Sequence, residues 1–222
     1  MNSRIAAIVA LVVVIAGGGY WYMTQQTPEP VSVAQAANGE SSAEVDMSLV
    51  TEMSLGNPDA KVTVVEYASF TCPHCRNFHE TAFGQLKANY IDTGKIHFIY
   101  REVYFDRFGL WAGIVARCGG EMRYFGIADI IYDTQKDWTN SSDPSQIAAN
   151  LRQIGISAGL SGEQVDACLN DVAKAEAMVA VYNENRQRDG VTSTPSFYIN
   201  GEKYSNMSYA DFAAILEEKL AE

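Results

Sequence analysis

The tightest constraint on this chain lies in residues 61–90. KVTVVEYASF, residues 61–70, follows a GNPDA turn and is dense in β-branched and aromatic residues, which is the composition of a buried strand. Cys72-Pro73-His74-Cys75 comes next, and Phe78, Phe83, Leu86 and Tyr90 then recur at helical spacing. Proline is favoured in the first turn of a helix, so the two cysteines fall at a strand-to-helix junction. Backbone N–H groups there lack intrahelical partners, and the positive end of the helix dipole is close. Cys72 is therefore predicted to ionise well below the free-thiol value of about 8.5, with a His74 imidazolium favouring the anion further. Cys75, one turn into the helix, is predicted to be the more buried sulfur. A stabilised thiolate is a good leaving group, so a disulfide between the two would be easily reduced.

A zinc site is the competing reading of a C-x-x-C, here with His79 as a third ligand. No second C-x-x-C or H-x₃-H pair completes four ligands, so no metal is expected. His79 and His97 show no partner in the sequence and read as structural.

The remaining pattern sets the architecture. KIHFIYREVYF, residues 95–105, is a second strand, and residues 108–189 read as consecutive helices. SGEQ at 161–164 and SYAD at 208–211 fit capping-box starts, the second with the weaker Asp. SFYINGEKY, residues 196–204, reads as two strands around the hairpin dipeptide Asn200-Gly201, and a helix over about 209–220 closes the chain. A β-α-β start, a helical block and a β-β-α finish imply an α/β sheet with an all-helical insertion.

The first residues belong to another class. Ile5–Met23 carries no charge and as a helix would span about 28 Å, close to the thickness of a bilayer's hydrocarbon core. Arg4 precedes it and acidic residues follow, which places the bulk of the protein on the far side of a membrane. Residues 1–23 thus read as a membrane anchor or as an export signal, the latter cleaved at the small-x-small AQA of residues 34–36. Either delivers an extracytoplasmic protein to an oxidising compartment. Residues 24–47, rich in Gln, Pro, Ser, Ala and Glu, read as a flexible linker, leaving 48–222 as the folded domain. Sixteen basic residues stand against 27 acidic ones in the 222, a formal charge of −11, so nucleic acid is not an expected partner.

The C-P-H-C sequence, the VEYASFT before it and VTSTPSFYING at residues 191–201 resemble the DsbA family of thiol-disulfide oxidoreductases, which have a thioredoxin fold interrupted by a helical domain. The resemblance covers about residues 55–222 and implies an insertion at about 106–189, catalytic Cys72 and Cys75, and activation by His74. It further implies that Pro195 is a cis-proline lying against the disulfide, with the Thr194 backbone binding an extended substrate segment. Glu66, costly to bury on a hydrophobic strand, matches the family's buried acid that relays protons for Cys75; a place at the edge of the core is the alternative. The implied partners are reduced or unfolded exported proteins and a DsbB-like, quinone-linked membrane oxidase, with no cofactor, and the chain itself is expected to be periplasmic or otherwise extracytoplasmic, anchored in the inner membrane by its N-terminus. Threonine before the cis-proline also occurs in disulfide isomerases of the superfamily, but residues 24–47 are too short and polar for the dimerisation domain those carry. An oxidase, a reductase or isomerase, and a chaperone-like binding module therefore all remain open. Cys118 and Cys168 lie outside any C-x-x-C. In an exported chain they are expected to pair as a structural disulfide, two buried free thiols being the alternative.

Overall fold

A computed structural model describes residues 45–222; the expected membrane segment at 1–23, the AQA site and most of the linker at 24–47 lie outside the described residues. A 3₁₀ turn at Met47–Leu49 opens the described chain, with Asp46 capping it by accepting the Ser48 N–H. No helix among the described residues is long and apolar enough to cross a membrane.

Five strands form one sheet: β1 (Met53–Gly56), β2 (Val62–Ala68), β3 (Ile96–Glu102), β4 (Ser196–Ile199) and β5 (Glu202–Ser205), in the order β1-β3-β2-β4-β5. β2 lies at the centre, parallel to β3 and antiparallel to β4. Its side chains alternate between faces, so Val62, Val64 and Ala68 enter the main core and Glu66 lies on the same face. Tyr67 points the other way and joins Val103, Val191 and Tyr198 in a smaller cluster.

Helix α1 (Pro73–Phe78) links β2 to β3. It runs on through two wider π-helical turns, His79–Phe83 and Lys87–Ile91, separated by the α-helical Gly84–Leu86. After β3 the chain is helical to Asp189: α2 (Arg107–Cys118), α3 (Glu121–Asp133), α4 (Gln135–Trp138), α5 (Pro144–Ser157), α6 (Gly162–Leu169) and α7 (Val172–Asp189). α2 is the axis of this block, with every side chain from Leu110 to Ala116 buried. A disulfide joins Cys118 at its end to Cys168 on α6, with Cα atoms 5.9 Å apart. α8 (Tyr209–Ala221) returns to the sheet and packs Phe212 against Phe197, ring centroids 5.0 Å apart.

Local chemistry explains the junctions. Ser161 and Gln164 make a reciprocal capping box, whereas Asp211 bonds the Ser208 hydroxyl instead of the Ser208 backbone, so that cap is half formed. Asn200 and Gly201 both adopt positive φ, 48° and 84°, as a tight hairpin turn requires. The Asn200 side chain also accepts a bond from the Thr63 N–H at 2.9 Å, which ties the hairpin to β2. The edge strand β1 is not legible in the sequence, because four residues are too few to show a period. It ends at Gly56, with φ of 84°, where a Cβ would stand 2.3 Å from the Ile96 carbonyl oxygen.

Candidate active site

β2 ends at Ala68, and Ser69-Phe70-Thr71 carries the chain to Cys72 at the N-cap of α1, with Pro73 in the first turn. The helical block holds this loop in place. Gln135 is buried on α4 and donates its amide hydrogens to the carbonyls of Phe70 (2.7 Å) and Cys72 (3.0 Å). Thr71 donates to Asp106 at 2.8 Å, and Asp106 in turn caps α2 by accepting the Gly109 N–H. The sequence alone did not single out Gln135 or Asp106. Their only signal was position: Asp106 immediately precedes the helical run and Gln135 follows a helix end.

Both cysteines are thiols, Cys72 half-buried and Cys75 fully buried. The Cys72 thiol is lowered to about 5, first by a hydrogen bond from the Cys75 thiol, against which burial acts. Thr194 and the backbone N–H groups of Cys75 and His74 lower it further. His74 thus acts here through its backbone, and its side chain is exposed. Burial is the main cause that pushes Cys75 far up, followed by its bond to Cys72 and the nearby charges of Cys72 and Glu66. One sulfur is therefore built to be an anion and the other to hold its proton.

The 191–195 loop closes the site. The Thr194–Pro195 peptide is cis, Pro195 is buried, and the Cys72 thiol donates to the Thr194 carbonyl at 3.6 Å. The Thr194 hydroxyl is buried without a hydrogen-bond partner, placed to donate once Cys72 is a thiolate.

Glu66 is fully buried on the central strand, away from the edge of the core, opposite Tyr100 and Phe197. His79, whose partner is not evident from the sequence, lies with its Nε2 3.4 Å from Glu66 Oε2 and its side chain 7% exposed. Its ring stacks on Tyr132 at 4.2 Å. His97 is half-buried on β3 and pairs with Gly56 across to β1. Among the described residues no group of three or more His, Cys, Asp and Glu side chains is arranged to hold a metal ion.

Residues 48–218 match the family model described as Thioredoxin. A Rickettsia bellii protein, provisionally described as a protein-disulfide oxidoreductase, is 37% identical over 77% of this chain and 65% of its own length. This chain spans 61–65% of the length of its Rickettsia relatives. Among solved structures, Wolbachia pipientis alpha-DsbA1 superposes with a TM-score of 0.71 at 27% identity, over 77% of this chain and 92% of that one. Oxidised BdbD from Bacillus subtilis superposes with a TM-score of 0.68 at 21% identity, over 77% of this chain and 94% of that one, a likeness of fold. The sheet with its helical insertion is thus a thioredoxin-like fold of the DsbA type.

Proposed function

We propose, for a chain that belongs to the DsbA-like branch of the thioredoxin family, that it is a thiol-disulfide oxidoreductase that donates a Cys72–Cys75 disulfide to exported proteins. The observation that carries this reading is the opposed chemistry of the two sulfurs, Cys72 lowered to about 5 and Cys75 pushed far up in the core. A substrate thiolate attacks Cys72 Sγ, the Cys72–Cys75 bond breaks, and its electron pair goes to Cys75 Sγ, which takes up a proton. The substrate's second thiolate then attacks its own sulfur in the mixed disulfide. That step oxidises the substrate and releases Cys72 as the stabilised thiolate. The low basicity of Cys72 favours both its departure and transfer in this direction.

In this mechanism Cys72 and Cys75 are the reacting groups. Thr194 and Pro195 form the wall against which an extended substrate lies, and Thr194 hydrogen-bonds the Cys72 sulfur. His74 supplies a backbone N–H to the thiolate. Glu66 is the buried acid that exchanges a proton with Cys75, and Cys118–Cys168 clamps the helical block. The residues at 5–23 would export or anchor the chain on the extracytoplasmic side. Reoxidation would fall to a DsbB-like, quinone-linked membrane protein.

Alkylation of free thiols in intact cells tests the reading. Cys72 and Cys75 found mostly as a disulfide supports the donor. Mostly free thiols would instead favour a reductase or isomerase. Undiminished binding of unfolded protein by Cys72→Ser/Cys75→Ser would favour a binding module.

A further inference from the structure

Four of the five buried side-chain polar atoms that lack a hydrogen-bond partner among the described residues belong to Glu66 and His79: both carboxylate oxygens and both ring nitrogens. Two ionisable groups buried beside each other are costly unless they share a proton or a charge. At 3.4 Å they are close enough to do so. Helix α1 widens into a π turn at His79 itself, a distortion that recurs where a helix must redirect a functional side chain. An aromatic cage of Phe78, Phe83, Tyr100 and Tyr132 holds the imidazole in place.

We infer that His79 is a positioning residue for proton exchange at Cys75, acting through Glu66, and this rests on the exchange reading above. When the Cys72–Cys75 bond opens and its electron pair goes to Cys75 Sγ, the one proton that the pair shares passes from Glu66 to that sulfur. The pair then takes a proton from solvent through His79, on the side of exposed Asp129. Reoxidation of the dithiol returns the proton by the same route.

The groups that face this pair come from three elements. Cys75 lies on α1, Tyr100 on β3, and Tyr132 and Asp129 on α3, with Asp133 and Lys87 beyond Asp129. Tyr100 and Tyr132 are hydrogen-bonded to each other at 2.5 Å, and burial raises both well above their ordinary value, so they stay neutral.

The test is stopped-flow reduction of the oxidised full-length chain by dithiothreitol from pH 5 to 9, with rates divided by the reagent's thiolate fraction. His79→Phe, which preserves the stacking on Tyr132, and His79→Gln are compared with the parent. Both variants are expected to match the parent within about twofold at pH 5 and to fall to about one-tenth of it at pH 8, as loss of a proton donor implies. Profiles that superpose on the parent's at every pH would overturn the inference. A parent that is not reduced through Cys72 at all would instead overturn the exchange reading. An NMR titration of the His79 ring in the unmutated chain decides the matter independently of variant folding. Its midpoint is expected to differ between the oxidised and reduced forms, and an identical midpoint in both would overturn the inference.

Discussion

Reduction of Cys72–Cys75 should change the chain's stability with a sign that depends on pH. A disulfide closing a four-residue loop restricts the unfolded chain by about 2 kcal/mol, so the oxidised form starts with that advantage. The reduced form gains a thiolate that the fold stabilises. Its Cys72 has a pKa lowered from 9.0 to about 5, so this contribution is fully present above 9 and is lost as pH falls through 5. Each pH unit inside that window adds about 1.4 kcal/mol, or about 4 kcal/mol between pH 5 and 8. Screening at a half-exposed sulfur cuts this to about 3 kcal/mol. Cys75 adds nothing here, because burial raises it and it is a neutral thiol in both native and unfolded states below pH 9. The oxidised form is therefore expected to be more stable by about 2 kcal/mol at pH 5 and the reduced form by about 1 kcal/mol at pH 8. Urea unfolding of both forms at four pH values, with Cys118–Cys168 kept intact, measures the gap, and the stability of Cys72→Ser should lack the rise that the reduced parent shows from pH 5 to 8. A gap that stays flat from pH 5 to 8, or closes in the other direction, would refute the reasoning.

Replacing Cys118 and Cys168 together by alanine releases a loop with a sequence separation of 50. The cost should be about 4 kcal/mol in urea unfolding, with the rate of dithiol exchange at Cys72 little changed. Gln135→Leu strands the carbonyls of Phe70 and Cys72, and should destabilise the chain by about 2–3 kcal/mol while slowing exchange, since it loosens the loop that presents the sulfur. Arg117→Ala leaves Glu102 buried after a bidentate pair at 2.6 and 2.7 Å is lost. A loss of about 3–5 kcal/mol in thermal or urea unfolding is expected, partly relieved by Glu102→Gln in the same chain.

The sequence exposed what depends on local chemistry. The strand before the cysteines, the proline that starts α1, the Asn200-Gly201 hairpin and the Ser161 cap each follow from residues within a few positions of one another. Cys72 and Cys75 were legible for the same reason, since one strand end and one helix start determine their surroundings. What escaped was set by distance along the chain. Gln135 reaches carbonyls 65 and 63 residues away, and no period or motif marks it. His79 gave no sign of a partner because Glu66 lies on another element, β2, and no pattern along the chain links the two. The aid from His74 is half legible: its position between the cysteines points to the ring, whereas the thiolate takes a hydrogen bond from its backbone N–H.

The most direct test of disulfide donation is the equilibrium of Cys72–Cys75 with glutathione redox buffers, read by trapping the free thiols. Strong oxidants of the DsbA type have potentials of about −120 mV and thioredoxin, a reductant, about −270 mV. With the thiolate held by Cys75, Thr194 and the start of α1, the midpoint is expected near the oxidising end of that range. A midpoint close to that of thioredoxin would contradict the account and make the protein a source of electrons.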